Sequence, residues 1–220
     1  MGKMLKKKIK PIFDWLHISY EGAGIIVWSF LSTLIFVFIF PQYKWLVFIV
    51  FLFIVFTFRN PKRNHHYVKG AIYSPADGRV DDIEEGEWEC INSRKYVRIG
   101  IYLSLFNVHV QRVPYYGKVI NVSHKKGKKY PAFRKKKTKY NESNIVELET
   151  DRGKLIVKQI AGMITRRIIC VLNPFQNTKT GEQLGVILFG SRVELYIPAG
   201  MTLYVNKGDK VKAGETLISK

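Results

Sequence analysis

The stretch LGVILFGSRVELYI, Leu184 to Ile197, sets an apolar run and a strand-like run on either side of one glycine. Leu184 to Leu188 and Val193 to Ile197 have the composition of β-strands, and Phe189, Gly190, Ser191 and Arg192 join them. Gly190 has no Cβ, so its carbonyl is open to attack, and the next residue carries a hydroxyl able to attack it. That pairing suits a self-cleaving peptide bond. It equally suits an ordinary turn between strands, and the rest of the chain has to decide.

Working outward, the same kind of run recurs at Tyr96 to Leu103, Gly117 to Val122, Ile145 to Leu148 and Leu155 to Ile160. Asp77-Gly78, Asp151-Arg152-Gly153 and Lys207-Gly208-Asp209 mark bends between them. No long stretch of helical periodicity follows Ala71. The tail, Val205 to Ile218, reads as a hairpin with a turn. It looks like the Gly-Asp-x-Val-x-x-Gly segment of lipoyl and biotinyl domains, without a lysine placed for modification. The expected fold is mainly β, a barrel-sandwich-like domain behind an N-terminal membrane helical hairpin.

That hairpin is written in Gly24 to Phe40 and Trp45 to Phe58, two almost wholly apolar stretches separated by Pro41-Gln42-Tyr43-Lys44. The second, as a helix, is about 21 Å long at 1.5 Å per residue, against a hydrocarbon core of about 30 Å. Both a tight pair of short spans and a re-entrant hairpin fit these lengths. Neither stretch has a polar face, which disfavours a buried soluble hairpin. Lys3, Lys6, Lys7, Lys8 and Lys10 precede it, and Arg59, Lys62 and Arg63 follow it. Positive charge on both flanks places both ends in the cytoplasm, and Trp28, Tyr43 and Trp45 suit the interfaces. No small-residue cleavage site follows the first apolar run, and the N-terminal Met-Gly lacks the Ser/Thr of a myristoylation signal. The expected organisation is a basic segment over residues 1–23, the anchor over 24–58 and a cytoplasmic β domain over 59–220, held at the cell membrane.

The 220 residues carry a formal charge of +19, which points to an anionic partner, nucleic acid or an acidic membrane. Nine of the positive charges crowd into Lys125 to Lys139, a density that favours a solvated loop. Tyr130, Phe133 and Tyr140 are interleaved there, as in single-strand binders. Beside a membrane anchor, lipid is the better partner, and nucleic acid is not expected. Cys90 and Cys170 have no paired spacing, which argues against a zinc knuckle or a disulfide framework. Neither a metal-site spacing of His, Cys or Glu nor a Gly-rich phosphate loop is present.

Three segments carry groups that can cooperate. Ser74-Pro75-Ala76-Asp77-Gly78 braces a carboxylate in a turn, Val108-His109-Val110 offers an imidazole, and Ser191 a hydroxyl. Such a set activates a nucleophile when the imidazole takes the hydroxyl proton and the carboxylate orients the imidazole. The structural alternatives are a turn-forming Asp-Gly and a histidine buried on a strand. His17, His65, His66 and His124 receive no role.

In order along the chain stand Ser-Pro-Ala-Asp-Gly at 74–78, Val-His-Val-Gln-Arg-Val-Pro at 108–114 and Asn-Glu-Ser-Asn at 141–144. Gln-Ile-Ala-Gly-Met-Ile-Thr-Arg-Arg-Ile at 159–168 and Phe-Gly-Ser-Arg-Val-Glu at 189–194 follow. Together, and from Phe58 to the C-terminus, these resemble the phosphatidylserine decarboxylases, in the short form of archaea and some bacteria. Gln111, Ser143 and Glu194 depart from the family pattern, where Asn, Arg and Asp are commoner. None of these removes a reacting group.

The resemblance implies a proenzyme in which Ser191 Oγ attacks the Gly190 carbonyl. A β chain ending at Gly190 and an α chain starting with a pyruvoyl group in place of Ser191 would result. His109 would be the base and Asp77 its orienting acid. The covalent pyruvoyl group, with no metal and no PLP, would form a Schiff base with the serine amine of the lipid and accept electrons as CO₂ leaves. Arg112, Arg166, Arg167 and Arg192 would bind the lipid phosphate or carboxylate, or else make structural salt bridges. Phe106 and Val108 would border acyl chains or pack in the core. The implied partners are a serine phospholipid, phosphatidylserine or archaetidylserine, the membrane, and the two chains of one precursor, with further assembly left open. The competing readings are a non-enzymatic membrane adaptor built on the same β domain, and a tethered nucleic-acid binder.

Overall fold

The computed structural model describes residues 3–63, 67–87, 95–128, 130–131, 135–163, 168–188 and 190–220. Two compact units divide the chain, Met1–Lys62 and Arg63–Lys220.

The first unit holds helices α1 (Lys3–Trp15), α2 (Ala23–Ile39) and α3 (Lys44–Thr57). The basic segment before the anchor, legible in sequence only as charge, is thus largely helical. α2 buries none of its residues, and Trp28, Ile35 and Phe38 stand well exposed, an apolar surface that suits lipid rather than water. Together with the turn before it, Tyr20–Ile39 is apolar and long enough to cross a bilayer, whereas α3 is shorter. The two helices form a hairpin whose ends are stitched together. The Ser19 N–H donates to the Phe58 carbonyl at 2.7 Å, and Ile18 bridges Arg59. Gly22 makes the stitch possible, because a Cβ there would lie 2.2 Å from the Phe58 ring.

The second unit is built of strands. They are β1 (Ile72–Tyr73), β2 (Gly78–Gly86), β3 (Tyr96–Leu103), β4 (Val110–Arg112), β5 (Gly117–Lys125), β6 (Ser143–Thr150) and β7 (Gly153–Ile160). After these come β8 (Ile168–Cys170), β9 (Asn177–Thr178), β10 (Gln183–Ile187), β11 (Ser191–Pro198), β12 (Lys210–Val211) and β13 (Leu217–Ser219). One turn of helix, α4 (Lys135–Thr138), precedes β6. Strand outweighs helix among the described residues, so the protein is mainly β, with a sheet curled into a half-barrel.

That sheet has eight strands in the order β12-β2-β3-β11-β7-β6-β5-β9, with a three-stranded β4-β10-β8 sheet and the β1-β13 pair beside it. Side-chain alternation along the strands explains the core. Val97, Ile99, Ile101 and Leu103 of β3 stand opposite Ile197, Leu195, Val193 and Ser191 of β11. All but Ser191 belong to the main apolar cluster, with Leu155 and Val157 of β7 and Val146 and Leu148 of β6. The two ends of the tail close on each other, Leu203 bridging Ser219 and the Tyr204 N–H donating to the Ile218 carbonyl at 2.9 Å, while its short strands also serve different sheets, β12 pairing with β2 and β13 with β1.

A chain of buried amides links the two larger sheets. Asn144 of β6 donates to Gln159 of β7 at 2.9 Å, Gln159 to Gln111 of β4 at 3.0 Å, and Gln111 to the His109 carbonyl at 2.7 Å. All three amides are buried, and the chain meets the requirement that buried polar groups be paired. The Gln159→Leu variant removes the middle of it and should lower unfolding stability by about 1–3 kcal/mol, read as a lower urea midpoint. At the mouth of β2, a Gly78 Cβ would stand 2.3 Å from the Tyr102 carbonyl oxygen. Gly78→Ala should therefore force β2 and β3 apart and destabilise by about 1–3 kcal/mol in the same assay.

Candidate active site

Ser191 opens β11 opposite Leu103, the last residue of β3. It shares the core-facing side of the strand with Val193 and is fully buried. Its Oγ has no hydrogen-bond partner among the described residues, although a buried hydroxyl without one is costly. Gly190 before it has φ +64°, a left-handed conformation that glycine adopts without strain. The nearest atom to a Cβ built there is Leu105 Cδ2, at 4.0 Å.

The backbone carries His109 to the same place. Its carbonyl accepts the Ile187 N–H at 3.2 Å, at the end of β10, while Val110 pairs with Val186. The Leu103–Ser191 pair and the His109–Ile187 bond thus hold the two ends of the 104–109 loop against the start of β11 and the end of β10. Ser104 and Asn107 brace the loop, both the N–H and the Oγ of Ser104 reaching Asn107 Oδ1 at 2.8 Å. The His109 side chain is fully buried, in a loop just before β4 rather than within a strand. Val108 is buried and Phe106 is well exposed.

Asp77 precedes β2, and Arg79 of β2 pairs with Tyr102. The starts of β2 and β11 and the end of β3 therefore share one edge of the sheet. Two strand spacings of about 4.8 Å separate β2 from β11. The turn is tied to β4, the Arg112 N–H donating to the Pro75 carbonyl at 2.8 Å. The Asp77 carboxylate itself is bound by Arg63, at 2.7 and 3.0 Å, and by the Ala213 N–H at 2.8 Å. Asp77, His109 and Ser191 come to one end of the β domain, and the partner that grips the carboxylate is Arg63. In sequence Arg63 was indistinguishable from the charged flank of the anchor.

The arginines divide. Arg112 donates to the Gly181 carbonyl at 3.0 Å. Burial, and then the nearby Arg63 guanidinium, pull its pKa below the usual arginine value. Arg166 and Arg167 lie outside the described residues. Arg192 is buried on the opposite face of β11 from Ser191 and forms the salt bridge that was the alternative to substrate contact. It reaches Glu194 at 3.0 Å, Asp81, and Asp82 at 3.5 Å. No cluster of potential metal ligands occurs among the described residues.

A left-handed glycine and a buried serine hydroxyl with no partner among the described residues thus stand side by side at the start of β11. The family model described as phosphatidylserine decarboxylase matches residues 50–219. A phosphatidylserine decarboxylase proenzyme of Wolbachia pipientis wMel is 39% identical over 212 residues, 94% of this chain and 92% of that one. The proenzyme of Syntrophus aciditrophicus (strain SB) is also 39% identical, over 90% of this chain and 95% of its own. That of Rickettsia akari (strain Hartford) reaches 40% over 78% and 76%. An adaptor without catalysis is set aside by these matches, and the chain belongs to the phosphatidylserine decarboxylase family, as a decarboxylase of phospholipid biosynthesis made as a proenzyme.

Proposed function

We propose that this chain cuts itself between Gly190 and Ser191 and then decarboxylates a serine phospholipid at the membrane. The observation that carries the reading is the buried Ser191 Oγ, without a partner among the described residues, next to a left-handed glycine. Ser191 Oγ attacks the Gly190 carbonyl carbon, the C–N bond breaks, and the nitrogen takes up a proton, leaving an ester. Loss of the Ser191 Cα proton then expels the Gly190 carboxylate. Hydrolysis releases ammonia and leaves a keto group at the head of the α chain. His109 accepts the hydroxyl proton, and Asp77, fixed by Arg63 and Ala213, is its orienting acid.

The pyruvoyl group, held at the start of β11, would supply the electron-withdrawing carbonyl that takes up the pair left by CO₂. Arg112, Arg166 and Arg167 receive the anionic parts of the headgroup. The serine headgroup is common to phosphatidylserine and archaetidylserine, and the acyl or ether chains stay in the lipid. Residues 24–58 tether the domain to the cell membrane, with residues 59–220 in the cytoplasm, and the high positive charge attracts acidic lipid at about 1 kcal/mol per basic residue near the surface.

Intact mass spectrometry in detergent tests the reading. The wild type should give two chains split at Gly190–Ser191, the smaller without a free amine. Ser191→Ala should give one full-length, inactive chain; a cleaved Ser191→Ala protein would refute the nucleophile. His109→Ala should slow processing by about 10²-fold or more, followed as the rate at which the precursor mass disappears. A chain lacking residues 1–62 should leave the membrane pellet for the supernatant at high salt, where surface electrostatic attraction is screened.

A further inference from the structure

Arg192 stands next to the bond that breaks, yet its side chain points away from the site. The side chain is 1% exposed, and its guanidinium lies among carboxylates from two strands, Glu194 of β11 and Asp81 and Asp82 of β2. The fold makes room for it twice. A bulge in β2 between Val80 and Asp82 leaves Asp81 as the extra residue, so that two consecutive carboxylates reach one guanidinium. Gly100 of β3 leaves a slot, since a Cβ there would fall 2.0 Å from Arg192 Nη2 and 3.0 Å from Asp81 Oδ1. Arg98 extends the network to Asp82, Glu84 and Glu194, and the Tyr196 hydroxyl donates to Glu194 at 2.8 Å.

We infer that Arg192 is a clamp for the new chain end, a positioning residue that holds the start of β11 in place once the Gly190–Ser191 bond is gone. The inference rests on the proposed self-cleavage. Before cleavage Ser191 is fixed covalently on both sides. Afterwards β11 begins at a chain end, where strands fray. The Ser191 nitrogen has left as ammonia, so Arg192 is the first residue of the strand with an N–H to donate. The clamp grips that residue from the far face of the sheet, and so leaves the reacting side clear.

The test compares full-length Arg192→Lys, Asp81→Asn and Gly100→Ala with wild type in detergent, each also in an uncleavable Ser191→Ala background. Lysine keeps the charge but loses the fork that reaches several carboxylates. Asp81→Asn weakens the clamp without touching Arg192, and covers the case in which an Arg192 variant does not fold. The variants should process like wild type. After cleavage, amide exchange over residues 192–194 should rise by about tenfold or more. The turnover number per cleaved chain should fall by about tenfold with KM little changed, and phenylhydrazine should trap the keto group faster. In the Ser191→Ala background exchange should not change. Equal loosening with and without cleavage would overturn the clamp, as would cleaved variants with wild-type exchange and turnover. A wild-type chain that stays uncleaved would instead refute the self-cleavage reading, independently of the variants.

Discussion

Strand β11 is hydrogen-bonded along both edges, to β3 from Ser191 to Pro198 and to β7 from Arg192 to Tyr196, and the rest of the β domain is arranged around that double ladder. A strand paired on both sides has little freedom to shift. A slip of one residue would turn Val193, Leu195 and Ile197 out of the core and Arg192 and Glu194 into it. With β11 fixed, β3 and β7 are fixed too, and the loops leaving their ends are committed in position. The Ser104–His109 loop begins where β3 ends, so the imidazole inherits its place from the ladder that positions the serine.

The two faces of β11 have separate tasks. The inner face carries apolar side chains that join the core and, at its end, the one hydroxyl. The amide chain from Asn144 through Gln159 and Gln111 to the His109 carbonyl crosses this same layer. Its bond from Gln159 of β7 to Gln111 of β4 crosses between the two sheets and ties together layers that could otherwise slide. The outer face is ionic, with two guanidinia and four carboxylates shared among β2, β3 and β11. The β11 end is therefore held by hydrogen bonds in the plane of the sheet and by charge behind it. Asp77 is held in another way again, by Arg63 and the main chain of the tail.

How much of this was legible in the sequence depends on what fixes each element. β3, β6, β7 and β11 announce themselves because their β-branched and aromatic residues recur within single runs. β1, β4, β8, β9, β12 and β13, of two or three residues each, take their register from whatever lies opposite, and no local pattern encodes that. In the tail the turn residues show in the sequence, but not that β12 joins β2 and β13 joins β1. Ser191, His109 and Asp77 stood out by their chemistry and by the resemblance. Arg63 did not, because a basic residue after an apolar helix has the same composition whether it meets a headgroup or a carboxylate. Nor did Gln111 and Gln159, since an amide in a relay and a solvated amide look alike in one sequence. For Arg192 alternation gives the face, but only the folded sheet, with the bulge at Asp81 and the gap at Gly100, shows that the outer face is closed.

The ionic layer invites the question of why it is there, because stability alone is a weak reason. A buried ion network replaced by apolar residues of like volume often leaves a protein equally or more stable, while removal of a single partner costs about 3–5 kcal/mol. That asymmetry makes such a network a poor adhesive and a strong specifier. Any register other than the native one would leave at least one guanidinium or carboxylate buried without its partner. Apolar side chains on the same face would tolerate a shift of two residues, since the inward and outward sets would then still match. The charges do not tolerate it. Ser191 is the first residue of β11, and a two-residue slip would carry its hydroxyl about 7 Å along the sheet, at some 3.4 Å per residue, away from the end of β3 and the loop that leads to His109. The ionic face of β11 thus excludes the one misalignment that the apolar face would accept.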